Sequence, residues 1–287
     1  MKPECQHILL STRSSHLNYS RGFTLVELVM VIVVLGILAT GSVRFISHSA
    51  QGLVDSGERQ ALASSASIAV EKVLREVRRA LPNSVRTFPD GANTCLELVP
   101  ILHSSEYVSI PIAAASTNFN AIQFVGATGT ENGYVAVYPN SLGSVYGTSP
   151  ATIRSISSDK ATAGGPVANL QTITFDGATN YRFLTDSPRK RFFLVDEPIS
   201  FCDDINGRLW RYQNYDFQVD SSSSIPTTGA DRILIADSLQ IGSLSFNILP
   251  AQLQRNAVVR MSLVIARSGS PAEQVDISQE VQLRNVP

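Results

Sequence analysis

The sequence is poor in the residues that build metal centres and nucleophilic active sites. It has 3 cysteines and 4 histidines in 287 residues, and only His48 and His103 lie beyond residue 22. These two histidines are far apart, and no cysteine stands near either of them at metal-ligand spacing. No Ser/His/Asp, Cys/His or metal-ligand set can be built from them. The residue types therefore favour a protein that is not an enzyme and that needs no cofactor and no metal.

Charged residues are also scarce, at 16% of the chain, and the formal net charge is −1. A nucleic-acid-binding protein needs a basic excess to neutralise phosphates, and this composition has none. DNA capture is one interpretation of the short basic run Arg189, Lys190 and Arg191. A solvated loop is the simpler one, and no nucleic-acid partner is expected.

What the sequence does have is one long apolar run, which begins at Phe23 and ends at Val43. Glu27 is its only charged residue. At a rise of about 1.5 Å per residue, a helix of this length spans roughly 30 Å, the thickness of a bilayer's hydrocarbon core. The run therefore predicts one transmembrane helix. An acidic residue inside such a helix marks a functional position, for which a cationic partner is expected.

A cationic partner for Glu27 would arise from a cut after Gly22. Phe23 would then carry a new amino group four residues before Glu27, and an ammonium group and a carboxylate can neutralise each other in lipid. Type IV prepilins, the pilin and pseudopilin family, carry a class III signal of this kind. The chain resembles it in the order Arg21-Gly22-Phe23-Thr24-Leu25-Val26-Glu27-Leu28. The alternative is an ordinary signal anchor with a stray acid near its end.

The resemblance implies a specific fate for the N-terminus. A prepilin peptidase would cut between Gly22 and Phe23 and methylate Phe23 as the new N-terminus. Glu27 would pair with the N-terminus of a neighbouring subunit during assembly.

Residues 1–22 would then form a leader on the cytoplasmic side, which the positive charges of Arg13 and Arg21 also favour. The head that follows the helix would face the periplasm from the inner membrane. The leader is long for the family, and a start codon at Leu17 would leave a shorter one.

Residues 44–81 are predicted to continue the helix as an amphipathic segment that ends at Pro82. Apolar residues recur there at steps of three and four, the spacing of one helix face. They are Ala66, Ala69, Val70, Val73, Leu74, Val77 and Leu81. By resemblance, the segment between Gly36 and Arg44 can unwind in a filament. Many pilins have a proline where Arg44 stands, which places any kink here in question.

After Pro82 the sequence changes to short runs rich in Thr, Val, Ile, Tyr and Phe, which predict strands. The expected strands cover residues 94–99, 107–112, 121–125, 133–138, 151–157, 170–175, 181–185, 191–195, 199–203, 208–213, 232–236, 240–248, 257–266 and 274–283. With no long helical pattern between strands, residues 82–287 predict a mainly antiparallel β head. This head would pack on the second half of the long helix, which gives an α+β fold of pilin type.

Turns and loops follow from the residues between these runs. Asn206-Gly207 and Asn132-Gly133 are typical of hairpin turns. Runs 240–248 and 257–266 are expected to form an antiparallel pair. Loops rich in Ser, Gly, Thr and Pro are expected at 139–150, 158–169 and 219–230.

The cysteines predict one covalent link. Cys5 lies in the expected leader, which leaves Cys95 and Cys202 as an even pair in an oxidising periplasmic head. We expect a disulfide between them, and a metal site or a reactive thiol is the alternative. The segment from Cys202 to Gly207 faintly resembles a calcium-binding loop. It has Cys at the first ligand position and no glutamate at the required distance, so a hairpin turn is preferred.

The large head most resembles those of minor pilins and larger pseudopilins, with the mannose-sensitive haemagglutinin (MSHA) pilus type as the finer suggestion. The expected function is that of a structural subunit that helps to initiate or cap a filament at the cell surface. Its expected partners are the prepilin peptidase, other major and minor pilin subunits, and the inner-membrane assembly platform. A type II secretion pseudopilin is the alternative within the family. A membrane-anchored enzymatic or ligand-binding ectodomain is the alternative from another class.

Overall fold

The chain folds into a long N-terminal helix followed by three antiparallel sheets, so the fold is α+β. The computed structural model describes residues 22–90, 93–126, 129–147, 155–165, 167–177, 180–218, 231–251, 256–267 and 273–283. The chain divides into two compact units, one that ends at Ser56 and one that begins at Gly57.

The first helix, α1, covers Leu25–Arg78 and is continuous. The segment between Gly36 and Arg44 is therefore helical, and the Thr40 hydroxyl donates to the carbonyl of Ile37 at 2.9 Å. Through Ser56 every helical side chain is exposed. The predicted apolar stripe of the second half is confirmed, since each of its seven residues from Ala66 to Leu81 is buried.

The described strands, in chain order, are β1 (Arg86–Asp90), β2 (Asn93–Leu98), β3 (Ile101–Glu106), β4 (Asn118–Ile122), β5 (Glu131–Val137), β6 (Ile156–Ala163), β7 (Leu170–Phe175), β8 (Arg191–Val195), β9 (Ile199–Asp203), β10 (Leu209–Gln213), β11 (Asp231–Ala236), β12 (Ser245–Leu249), β13 (Val258–Arg267) and β14 (Glu273–Gln282). They form sheets of order β1-β2-β9-β10-β11, β12-β13-β14 and β3-β8-β5-β6-β7-β4. A second helix, α2, covers Leu142–Tyr146.

The buried stripe of α1 shares one core with the five-stranded and the three-stranded sheets. Its residues pack with apolar side chains of β2, β9 and β13, among them Leu96, Phe201 and Leu263. Two ion pairs also join α1 to the three-stranded sheet: Arg59 with Glu273 at 2.6 Å, and Glu58 with Arg267. Burial of the stripe is thus what attaches this part of the helix to the sheets.

The six-stranded sheet surrounds a separate aromatic core. Phe119, Phe124, Phe175, Phe183 and Phe192 are all buried in it. The two edge strands of this sheet, β3 and β4, meet at one end. There the Ser105 hydroxyl donates to the carbonyl of Ile122 at 2.7 Å, and the Val108 amide donates to Asn120 at 2.8 Å.

Strand alternation gives the five-stranded sheet a second, different face. Leu96 and Phe201 face α1, so their neighbours Cys95 and Cys202 lie on the opposite side of the same paired strands. These cysteines form a disulfide with a Cα–Cα distance of 4.6 Å, and both are buried beside Phe88.

The helix ends earlier than predicted, at Arg78 instead of residue 81. The amides of Arg79 and Ala80 donate to carbonyls three residues earlier instead of four, which tightens the last turn. Ala80 then forms an isolated β-bridge with Pro100. Because a residue before proline avoids the helical region, Pro82 also disfavours a helical Leu81.

Two predicted strands, 107–112 and 181–185, are wrong. In these segments Tyr107 and Tyr181 form isolated bridges only. The Phe183 amide donates to the carbonyl of Pro111 at 2.9 Å, but Pro111 has no N–H with which to continue a ladder.

The Asn132-Gly133 turn is also wrong, because both residues lie inside β5. A Cβ at Gly133 would stand 2.7 Å from the carbonyl oxygen of Val195 on β8. The glycine therefore permits close approach of two strands instead of a turn.

The other differences concern polar segments. The predicted loop 158–169 contains most of β6, which is paired on both sides by β5 and β7. The predicted loop 139–150 contains α2, whose first turn is capped by a reciprocal pair of serines, Ser141 and Ser144. Residues 151–154 of the predicted strand 151–157 lie outside the described residues, and β6 begins at Ile156. The predicted loop 219–230 also lies outside the described residues.

Several expectations are confirmed. β12 and β13 pair antiparallel, as predicted for runs 240–248 and 257–266. Asn206-Gly207 lies in the connection between β9 and β10, where Gly207 has a positive φ of 69°.

β1 and β3 were not predicted from the sequence.

The disulfide should contribute strongly to stability. It links residues 107 apart, and closing a loop of about 100 residues is worth roughly 4.7 kcal/mol in the chain-entropy model. We expect the double variant Cys95→Ala/Cys202→Ala to unfold at a clearly lower denaturant concentration than the wild type. Wild-type protein treated with reductant is the matched control and should shift in the same direction. Unchanged midpoints in both samples would contradict this role.

Candidate functional site

The N-terminal junction that the sequence singles out lies just outside the helix. Gly22, Phe23 and Thr24 have no regular secondary structure, and helix α1 begins at Leu25. Phe23 is exposed. A Cβ placed on Gly22 would have no atom within 4 Å other than those of its neighbours in the chain. The Gly22–Phe23 bond is therefore in non-helical, accessible backbone, as a proteolytic substrate requires. Arg21 and the preceding residues lie outside the described residues.

Thr24 starts the helix by capping it. The Glu27 amide donates to the Thr24 hydroxyl oxygen at 3.3 Å, and the Leu28 amide donates to the Thr24 carbonyl at 3.2 Å. The first of these bonds satisfies a donor that a helix N-terminus would otherwise leave open, and the second is the first regular backbone hydrogen bond of the helix. The spacing Thr-x-x-Glu is the signature of a capping box, so the sequence itself carries a signal for this role of Thr24.

Glu27 lies in the first turn of the helix and is exposed. A carboxylate at this position interacts favourably with the positive end of the helix dipole. Within the described part of the chain no ion pair holds Glu27. Its carboxylate is therefore accessible to a cation from another molecule. Thr24 and Glu27 both follow the Gly22–Phe23 bond, so a cut there would leave the capped turn in the product.

The part of the helix that follows this turn has a predominantly apolar surface. One 18-residue window within α1 has a mean hydropathy of 2.4, and none of it is buried within the chain. Exposed apolar residues occur on every side of the helix, from Leu25 to Val43. Such a surface is stable only in lipid or against other apolar helices. The first part of α1 is therefore long and apolar enough to cross a membrane once.

The predicted calcium-like segment is a turn. The Asp204 carboxylate accepts from the amides of Asn206 and Arg208 at 2.8 and 3.0 Å, and from the Trp210 indole at 2.9 Å. Slight burial raises the pKa of Asp204, but these hydrogen bonds outweigh it and hold the pKa below its usual range. The Asp204 carboxylate therefore serves as a hydrogen-bond acceptor within the turn.

The two remaining histidines belong to different compact units. His48 is exposed on α1, and His103 lies on β3. His103 stacks on Phe124 with ring centroids 4.9 Å apart, and its Nε2 lies 3.3 Å from a Glu131 carboxylate oxygen. Among the described residues, no group of three or more His, Cys, Asp or Glu side chains could hold a metal ion.

A buried polar cluster lies behind the disulfide and was not apparent from the sequence. Arg86 pairs with Glu97 across β1 and β2, and its guanidinium lies 3.7 Å from the ring centroid of Tyr146. Tyr215 donates to Glu97 at 3.2 Å and also bonds Ser200. Burial raises the pKa of Glu97, and the Arg86 charge opposes this rise. Because these groups satisfy one another, the cluster has the character of an internal support for the strands.

Comparison with known proteins gives one match. Residues 17–43 match the family model described as the prokaryotic N-terminal methylation motif. No curated protein and no solved structure matches the chain.

The matched motif covers the junction, the capped turn and the apolar helix together. It supports a type IV pilin-like or pseudopilin-like precursor, and it implies processing by a prepilin peptidase in the context of pilus assembly. Together with the exposed apolar helix, it indicates a single-pass membrane anchor.

Proposed function

We propose that this chain is a minor pilin of a type IV pilus, a structural subunit that helps to initiate or cap the filament. The observation that carries the proposal is the accessible Gly22–Phe23 bond, followed at once by a capped turn with Glu27 and a bare apolar helix, inside a matched methylation motif. In this proposal a prepilin peptidase cuts after Gly22 and methylates Phe23, and the chain itself performs no catalysis.

The apolar surface of the first unit supports an assembly role. The N-terminus would lie on the cytoplasmic side of the inner membrane, with the head in the periplasm. Lipid would cover the helix before assembly, and the helices of other pilin subunits would replace lipid in the filament at the cell surface. The assembly platform would mediate this transfer.

An ion pair with Glu27 would fix the depth at which a neighbouring subunit docks. Its carboxylate is exposed and has no cationic partner in the described part of the chain. A desolvated carboxylate is strongly unfavourable unless a positive charge meets it. The methylated amino group at Phe23 of a neighbour is the cation that processing would supply.

The size of the head favours the tip of a filament over its shaft. Residues after Pro82 number 205, and a compact domain of that size has a radius of gyration of about 17 Å. Heads around a shaft must share its circumference, so a large head crowds its neighbours. At a tip one side is open, which removes that restriction.

A pseudopilin of a type II secretion system is the second candidate, because it would need the same N-terminal chemistry. The MSHA pilus type is the finer assignment within the first candidate. It rests on head size and on the segment from Phe201-Cys202 through Arg208-Leu209-Trp210-Arg211-Tyr212. A membrane-anchored enzyme or ligand-binding ectodomain would retain an uncut N-terminus.

The first experiment tests processing. Mass spectrometry of protein extracted from membranes should find Phe23 as the N-terminus, with the added mass of a methyl group. The variant Gly22→Val should block the cut, because the peptidase would meet a bulky side chain at the bond. Mature protein that still carries Gly22 in a peptidase-competent cell would refute the assignment to this family.

The second experiment separates pairing from capping. Glu27→Gln keeps a side chain that can serve the helix N-terminus but removes the charge, whereas Thr24→Ala removes the cap and keeps the charge. We expect Glu27→Gln to insert into the membrane normally yet to enter filaments roughly tenfold less or worse, because a neighbour's cation would be left unpaired. Quantitative immunoblots of sheared pili and membranes give both values.

Thr24→Ala is the matched control for this measurement. It should lower incorporation much less than Glu27→Gln, since a lost cap costs only about 1 kcal/mol. Equal incorporation of Glu27→Gln and wild-type protein would show that charge pairing is not used by this subunit.

The third experiment tests the position in the filament. Immunogold labelling of sheared pili should place few particles on each pilus, at or near one end. A deletion should reduce the number of filaments, because initiation would fail. Dense, regular labelling along the shaft would identify a major subunit and refute the crowding argument.

A further inference from the structure

A groove of about 1000 Å³ opens in the second unit, beside the end of α1. Arg78 and Arg79 come from the end of the helix, Leu102 comes from β3, and Arg189 and Arg191 come from the start of β8 and the residues before it. Residues more than 100 positions apart in the sequence thus contribute four arginines to one concave surface.

The charge of this groove contrasts with that of the chain. No aspartate or glutamate occurs among its described lining residues, whereas the whole protein has a formal net charge of −1. Arg78 is partly neutralised by Glu71 at 3.1 Å. For Arg79, Arg189 and Arg191 the described residues provide no ion pair, although Glu106 stands opposite Arg191 in the strand register.

The backbone that carries these side chains is firmly held. The Ile101 amide donates to the carbonyl of Arg79 at 2.9 Å, and Ala80 bridges to Pro100. Strands β3 and β8 are paired antiparallel, with a register shift between Ile101 and His103. The end of α1, β3 and β8 are therefore held in place before any ligand arrives, which lowers the entropic cost of binding.

The lining determines which class of anion fits. Guanidinium groups bind carboxylates with two parallel hydrogen bonds. The lining also has an aliphatic part, with Ile101 half-buried and Leu102 36% exposed, beside polar residues such as Ser104 and Gln282. Proteins that bind single-stranded nucleic acids use exposed aromatic rings on which the bases stack. Among the described lining residues the single Phe, Tyr or Trp is Phe193, which is buried.

We propose that this groove binds an acidic segment of another protein, one in which carboxylate side chains alternate with aliphatic ones. The carboxylates would pair with Arg79, Arg189 and Arg191, and the aliphatic side chains would cover Ile101 and Leu102. The groove belongs wholly to the second unit, so the proposal goes beyond the N-terminal assembly role and does not depend on it.

The test uses the full-length protein in lipid nanodiscs and defined probes. The first probe is a short fluorescent peptide in which glutamate and leucine alternate. A second peptide has glutamine in place of each glutamate. Polyglutamate, a sulfated oligosaccharide and a single-stranded oligonucleotide test anions without aliphatic groups. Nanodiscs without protein give the background, and fluorescence anisotropy gives Kd.

We expect the Glu-Leu peptide to bind most tightly, with at least a roughly tenfold weaker Kd for the Gln-Leu peptide, because charge-assisted bonds are lost. The double variant Arg189→Ala/Arg191→Ala should weaken binding of the Glu-Leu peptide by about tenfold or more. Leu102→Ser should weaken the Glu-Leu peptide but leave polyglutamate unchanged. Arg182→Ala, an exposed arginine outside the groove, is the matched control and should bind as the wild type does.

Three results would overturn the proposal. Equal affinity for the Glu-Leu and Gln-Leu peptides would remove the role of charge. Unchanged binding in the Arg189→Ala/Arg191→Ala variant, with an unfolding midpoint equal to the wild type, would place the site elsewhere. Tighter binding of the oligonucleotide or the sulfated oligosaccharide than of the Glu-Leu peptide would assign the groove to another class of polyanion.

Discussion

The surface of α1 is the constraint on which the rest of the structure depends. Its first part, through Ser56, has exposed side chains throughout, whereas its second part buries one stripe of small and aliphatic residues. A helix satisfies its own backbone hydrogen bonds, so it can pass from lipid to water without leaving polar groups open. The side chains alone decide which surroundings each part requires. The sheets supply an apolar cover for the second part, and nothing in the described chain supplies one for the first.

One face of the five-stranded sheet covers the buried stripe of α1. The other face carries groups that stabilise the sheet. Leu96 and Phe201 face the helix, while Cys95, Cys202 and the Arg86–Glu97 pair occupy the opposite side. A sheet that packs on a narrow helical stripe gains limited apolar burial from it. Cross-linking adjacent strands behind that stripe lowers the entropy of the unfolded chain and offsets the small contact area.

Local signals predicted the parts of this structure that depend on local physics. The helical stripe follows from a period of 3.6 residues, and the methylation motif lies within a short run, so both were readable. β6 was missed because its polar residues owe their strand conformation to neighbours on both sides. Gly133 was misread because its need for glycine arises from Val195, which lies far along the chain. The arginine groove could not be predicted for the same reason, because its arginines come from distant parts of the chain.

The distribution of charge separates two kinds of interaction in this chain. Near the N-terminus a single carboxylate, Glu27, stands in an apolar helix, where one ionic contact is decisive because lipid does not screen it. In the second unit several arginines share a solvated groove, where each contact is weakened by water and salt and affinity must come from their number. A change in ionic strength would therefore alter binding in the groove while leaving a Glu27 pair largely intact. Ionic strength would thus separate the two proposed interactions, because only the groove is open to mobile ions.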